Sequence, residues 1–274
     1  MSLSPDSLSP RVLIACEFSG TVRRAFAERG ITAYSCDLLP ADDASPFHYQ
    51  GDVRHLLDGY APVRFQSDCD PDGAGWCDAA DTDPADCDCY GPTQDGMEYV
   101  ERGGVLLARP VDRPHWDLMI AHPPCTYLTI AAEWAYGDGP YHQKVKPETL
   151  VGAARRTARE EALAFVQLLY DAPIPRVVIE NPVGVLSSRF RKPDQTIHPW
   201  QFGDDASKAT CLWLKNLPLL TPTNELPGGR QARRANQTAS GQNKLPPSKD
   251  RWKLRSVTYP GIANALADQY GALL

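Results

Sequence analysis

Short apolar runs that lack polar alternation constrain this chain more than any other feature. Arg11-Val12-Leu13-Ile14-Ala15-Cys16, Trp116-Asp117-Leu118-Met119-Ile120-Ala121 and Arg176-Val177-Val178-Ile179 carry apolar residues at consecutive positions. A strand with one wet face alternates, whereas a strand covered on both faces does not, so these runs predict parallel strands buried between helices. The first run is followed by the turn Glu17-Phe18-Ser19-Gly20, a helical stretch from Thr21 to Arg29 closed by Gly30, and a second strand, Ile31 to Asp37, ending in an acid. A third short element is expected around Gly51-Asp52-Val53. This order of strand, turn, helix, strand and acid opens a doubly wound, Rossmann-like α/β fold.

The pattern divides the chain. Residues 1–10 read as a disordered Ser- and Pro-rich segment, 11–56 as the cofactor-binding first part of a catalytic domain, and 57–114 as an inserted loop or small subdomain. In that insert no Lys or Arg lies between Arg64 and Arg102, while Asp recurs nine times. Residues 115–215 resume the framework, with a long amphipathic helix from Glu148 to Tyr170 and a further strand over Thr210–Leu214. Residues 216–256 are a loop-rich basic region, and 257–274 a C-terminal helix beginning near Gly261.

With 42% hydrophobic residues the 274-residue chain can bury a substantial core. No apolar run approaches the roughly 20 residues of a membrane span, and the N-terminus lacks a signal-peptide pattern, so a cytoplasmic protein is expected. The formal net charge of −6 hides an asymmetry: residues 1–139 hold 9 Lys and Arg against 23 Asp and Glu, and residues 140–274 hold 19 against 11. The second half therefore offers a basic face able to track phosphates. Oligomeric state is not legible.

Two strand ends carry chemistry. Pro123-Pro124-Cys125 brings a thiol to a rigid turn at the C-terminal edge of the sheet, where α/β sites form. Only a thiolate adds readily to an electron-poor ring carbon. Glu180-Asn181-Pro182 ends the next apolar strand. Its carboxyl can hydrogen-bond or protonate a ring nitrogen, provided that it holds or shares a proton, and Asn181 can fix the backbone around it. Near the first strand, Phe18 could stack on an adenine and Gly20 permits close backbone approach. Asp37 stands where an acid meets a ribose hydroxyl, and Asp52 with Val53 where an adenine amino group would lie.

In these blocks the chain resembles the DNA cytosine-5 methyltransferase family, particularly small bacteriophage-encoded members. Ala15-Cys16-Glu17-Phe18-Ser19-Gly20 is similar to the family's Phe-x-Gly cofactor motif, Pro123-Pro124-Cys125 to its nucleophile motif, and Glu180-Asn181-Pro182 to its Glu-Asn-Val motif. Tyr259-Pro260-Gly261-Ile262-Ala263-Asn264-Ala265 is similar to a degenerate last motif, which packs back on the first. The resemblance implies a fold with a methyltransferase sheet, S-adenosylmethionine as cofactor, and double-stranded DNA from which a cytosine is flipped. A phage-encoded protein would work in the cytoplasm of a bacterial host. It implies catalysis by Cys125, Glu180 and Asn181, and cofactor contacts from Phe18, Gly20, Asp37, Asp52, Val53, Pro123 and Asn264. In this scheme Cys125 attacks C6, Glu180 assists at N3, and C5 receives the methyl group.

The chain also departs from the family. Val22 and Arg23 stand where it has glycines, which leaves open a cytosine-5 hydroxymethyltransferase using 5,10-methylenetetrahydrofolate. A catalytically silent DNA-binding module is the alternative from another class, and RNA a variant substrate. The family's Gln-x-Arg-x-Arg block is not recognisable, and Ser207-Lys208-Ala209-Thr210 occupies a comparable place. Pro124, Lys208 and Thr210 are thus candidates at the base, while Arg230, Arg233, Arg234, Lys249, Arg251, Lys253 and Arg255 are expected mainly on phosphates. So small a recognition region predicts a short or relaxed target sequence. Trp252, Tyr127 or Trp134 could fill the gap left by a flipped base. In the acidic insert, Asp68-Cys69-Asp70-Pro71-Asp72-Gly73 matches half a calcium loop, but Ala79 stands where its last ligand belongs. Cys69, Cys77, Cys87 and Cys89 are candidate ligands for a structural zinc, although their spacing is not that of paired CxxC motifs.

Overall fold

The computed structural model describes residues 10–63, 96–130, 132–241 and 243–274. Its centre is a seven-stranded sheet. In spatial order this holds β3 (His48–Gln50), β2 (Thr32–Asp37), β1 (Arg11–Ala15), β7 (Leu118–Ala121), β8 (Val177–Pro182), β10 (Thr210–Lys215) and β9 (Gln195–Ile197). The first five are parallel, and β10 runs against both β8 and β9. This mixed α/β architecture with a mostly parallel sheet is compatible with a Rossmann-like fold.

The absence of alternation in the strands has the expected cause. Leu13, Ala15, Met119, Ala121, Val177 and Ile179 enter one core with Val166 and Leu169 of α2 (Gly152–Asp171) and with Trp116 and Trp213. The residues between them, Val12, Ile14, Leu118, Ile120 and Val178, enter a second core on the opposite face. That core contains Val22, Ala25 and Phe26 of α1 (Thr21–Ala27) and Ile262, Leu266 and Tyr270 of α5 (Pro260–Gly271). The C-terminal helix thus packs back against the first helix.

Several boundaries differ from the sequence reading. Helix α2 begins at Gly152, not Glu148, because Glu148 has a φ of +67°, outside the right-handed helical region. Strand β8 continues through Pro182, because β10 pairs with it up to Pro182 opposite Thr210, whereas β7 accompanies it only to Ile179. The third parallel strand lies at His48–Gln50, and Asp52 caps the single 3₁₀ turn that follows. The described ends of the insert, expected as a loop or small subdomain, hold strands. β4 (Ala61–Pro62), β6 (Val105–Pro110) and β5 (Met97–Arg102) form a three-stranded antiparallel sheet. Arg102 ties it to the framework through Asp58 and the His55 carbonyl, and both Arg102 and Arg109 lie over the Tyr60 ring. Within 216–256 the chain is mostly irregular, but it includes a short helix, α4 (Arg251–Ser256). The N-terminal residues 1–9 and the four insert cysteines, Cys69, Cys77, Cys87 and Cys89, lie outside the described residues. Among the described residues no helix is long and apolar enough to cross a membrane.

Phe26 is fully buried where α1 meets α5. Truncating it in Phe26→Ala is expected to lower unfolding free energy by about 3–5 kcal/mol, measured as a shift in the urea midpoint at constant slope.

Candidate active site

The strand order reverses between β1 and β7: β2 and β3 extend the sheet on one side of β1, and β7 and β8 on the other. Ligands of open α/β sheets bind outside the carboxyl ends of strands at such a point. Here the strand ends project Cys16, Asp37, His122 and Glu180 from β1, β2, β7 and β8 in turn. The order of these residues along the edge follows directly from the sheet.

The loop that carries Cys125 begins where β7 ends. After Ala121 the His122 amide still donates to the Ala15 carbonyl at 2.9 Å, and then Pro123 and Pro124 end the ladder because they have no N–H. Strand β8 runs on without its β7 neighbour. Its Asn181 side chain, 1% exposed, turns into the freed space and donates from Nδ2 to the Pro123 carbonyl at 2.8 Å. Beyond the prolines, the Leu128 and Thr129 amides both donate to the Cys125 carbonyl at 3.0 Å. Val185 in turn donates to the Leu128 carbonyl at 2.8 Å. A side chain at Gly184 would come within 2.0 Å of that same carbonyl, so only glycine lets the two segments meet. Cys125 is thereby held in an exposed position.

Glu180 is largely enclosed, its side chain 14% exposed. Burial pushes its carboxyl up, but the hydrogen bond with His122, the charge of Lys208 and the Thr210 hydroxyl outweigh this and hold it below the usual glutamate value. The Cys125 thiol is raised, first by desolvation and then by the negative Glu180, against the opposing pull of Lys208 and Arg255. Each of these charges is thus close enough to alter the ionisation of the sulfur. Lys208 also donates from Nζ to the Arg255 carbonyl at 3.3 Å, joining the segment before β10 to α4. Cys125, Glu180, Asn181, Lys208, Thr210 and Arg255 therefore assemble in one place, flanked by buried Pro123 and exposed Pro124. His122 was not singled out by the sequence reading. The signal that could have found it is its position, the first polar residue after β7.

On the other side of the reversal, Asp37 is raised above an ordinary aspartate by burial, and the charges of Asp37 and Asp52 add to burial in raising the Cys16 thiol. Asp52 accepts from the Arg54 amide at 2.9 Å as a turn cap, and Val53 is core. Phe18 is buried with the Lys253 ammonium 4.8 Å from its ring centroid, and Lys253 pairs with Asp42 at 2.8 Å. Gly20 has a φ of +65°, and an added Cβ would strike the Arg23, Arg24 and Asp43 side chains, which bond one another there. Its glycine is required by the turn and by this ion cluster. The end of α1 is already capped from within: Glu17 accepts from the Val22 amide at 2.6 Å and the Arg23 amide at 3.2 Å.

Some expected residues stand elsewhere. Asn264 accepts from Arg29 at 3.3 Å. Arg29 follows α1 and precedes β2, which puts this pair at the opposite edge of the sheet from the strand ends above. Arg234 is 5% exposed, donates to the Gly229 carbonyl at 2.7 Å and lies over Trp200, so its guanidinium is used inside the protein and not on a phosphate. Lys253 is committed to Asp42 and Phe18, as described. Arg230, Arg233 and Lys249 are exposed, and Arg251 is half-buried. Of the three aromatic candidates, Tyr127 lies under Arg155 and Trp134 packs edge-on against Tyr141 and His142. Trp252, on α4, is 59% exposed. No protein-family model matches this chain, and no curated protein matches it.

Charge removal at the site gives opposite expected effects on the Cys125 thiol. Glu180→Gln removes a charge that raises it, so alkylation of Cys125 by iodoacetamide at neutral pH should accelerate several-fold. Lys208→Met removes a charge that lowers it and should slow the same reaction, followed by peptide mass spectrometry to separate Cys125 from the other cysteines.

Proposed function

We propose that the protein is a DNA cytosine-5 methyltransferase. The observation that carries this reading is the convergence of an exposed cysteine and a largely enclosed glutamate, hydrogen-bonded to His122, at the ends of adjacent parallel strands, with the charges of Lys208 and Arg255 acting on the cysteine. In the proposed reaction the Cys125 thiolate adds to C6 of a cytosine rotated out of its duplex, and Glu180 places a proton at N3, which draws the developing charge away from C5. Asn181 keeps the cysteine loop at its distance from Glu180 through the Pro123 carbonyl. Lys208 and Arg255 favour the thiolate and stand ready for the flanking phosphates. Loss of the C5 proton after transfer returns the electron pair to the ring and releases the Cys125 sulfur.

S-adenosylmethionine, when bound, supplies an electrophilic methyl group. The residues at the β2 end and after β3 fit such a donor in charge: Asp37 and Asp52 create a negative edge suited to a sulfonium cation and to ribose hydroxyls. The internal Glu17 cap argues in the same direction, because it occupies the α1 amides that would otherwise receive an anionic group. A folate donor carries an anionic glutamate tail, and this acidic edge disfavours it. A stacked adenine at Phe18 would share that ring with Lys253 or displace it.

The test is product analysis of mixed-sequence duplex DNA incubated with each donor separately. A 5-methylcytosine product with S-adenosylmethionine alone is expected, and 5-hydroxymethylcytosine formed with the folate would reverse the choice of donor. Duplexes containing 5-fluorocytosine should trap wild type as a covalent adduct and leave Cys125→Ser free. An absence of adduct with either donor would favour the silent DNA-binding module. Exposed Trp252 is the candidate to fill the space left by the extruded base. Trp252→Ala is expected to reduce adduct formation about tenfold on duplex DNA and much less on single strands, where nothing need be unstacked.

A further inference from the structure

His122 is the side chain between the two halves of the site. It follows β7, the strand at the reversal, with Glu180 on its β8 side and Asp37, whose ionisation responds to it, across β1. Its Nδ1 lies 3.0 Å from Glu180 Oε2, and its side chain is only 8% exposed. Its Nε2 is buried without a hydrogen-bond partner. At this distance the imidazole nitrogen and the carboxylate oxygen share one hydrogen bond. None of the motifs through which the chain resembles cytosine-5 methyltransferases includes this histidine.

Resting on the proposed function, we infer that His122 is a positioning residue that supplies, through Glu180, the proton taken up by N3 of the target cytosine. The electron and proton count closes without any further reactant. As the Cys125 sulfur forms its bond to C6, the C5–C6 π pair moves to C4–C5. The C4–N3 π pair then takes a proton from the Glu180 carboxyl as the imidazolium Nδ1–H passes its own to Glu180 Oε2. One proton is thus moved in all, Glu180 ends ionised and His122 neutral, and elimination reverses the transfer. The groups facing this pair are Asp37 from β2, Cys125 from the proline loop, and Lys208, Thr210 and Cys211 from the start of β10. The hydrogen bond with His122, and then the charge of Lys208, hold Glu180 toward its charged form. In this pair a proton for N3 therefore has to come through Glu180 from His122.

The relay has a consequence for the base. Cytosine N3 lacks a hydrogen and must be given one, whereas uracil brings its own N3–H and needs only an acceptor. The test therefore measures exchange of the C5 hydrogen with solvent deuterium, which requires thiol addition and elimination but no one-carbon donor. Mixed-sequence duplexes would carry either cytosine or uracil at the same positions. His122→Asn and His122→Gln, whose amides can still bond Glu180, should lose about 100-fold in cytosine exchange. Their uracil exchange should change less than about threefold, which also reports that they are folded. The alkaline limb of the wild-type pH profile for cytosine should shift in both variants, because the proton must then come from Glu180 itself, without the His122 contact that lowers it. Equal losses on the two bases, or unchanged cytosine exchange and pH profile, would overturn the relay alone. Failure of wild type to exchange either base would instead remove the cytosine-5 reading beneath it.

Discussion

The site depends on one hydrogen bond, from the Asn181 amide to the Pro123 carbonyl. Two parallel strands would normally continue to pair, but the double proline takes the N–H groups out of β7 just as β8 goes on. The side chain of Asn181 replaces the missing ladder. It converts two diverging strand ends into a fixed pair of walls, one bearing Cys125 and the other Glu180. Burial of the amide in this gap strengthens its dependence on that single acceptor, since its Oδ1 has no partner of its own.

Electrostatics then sort the groups that the walls bring together. The framework places acids at the ends of β2 and β8 and after β3, with cations reaching in from the start of β10 and from α4. The result is a divided edge. Around Asp37 and Asp52 the field is negative, whereas around Cys125 the negative Glu180 is opposed by Lys208 and Arg255. The charge asymmetry between the two halves of the sequence becomes a spatial one across the point where strand order reverses. A cationic donor and a polyanionic substrate would be drawn to different sides of that line.

Composition alone does not distinguish the cations of the basic region. Folding separates them. Arg234 is withdrawn beneath Trp200, Lys253 is drawn down to Asp42 and Phe18, and the charge of Arg255 acts on the cysteine. Asn264, within a motif-like segment, faces Arg29 at the far edge because of its position around α5. Long flexible side chains can reach several partners, and sequence spacing does not choose among them.

What the sequence determined by itself was the sheet and its working edge. Consecutive apolar residues in β1, β7 and β8 require cover on both faces, and Pro-Pro-Cys and Glu-Asn-Pro mark where two of these strands stop. These are local properties of the chain: hydrophobic pattern, a missing N–H, a turn. Tertiary structure alone decided that β10 would lengthen β8 through Pro182, that Glu17 would cap α1, and that His122 would meet Glu180 across 58 residues. Each of those depends on which strands become neighbours and on which side chains then share a buried space, and neither is written in the order of residues along one strand.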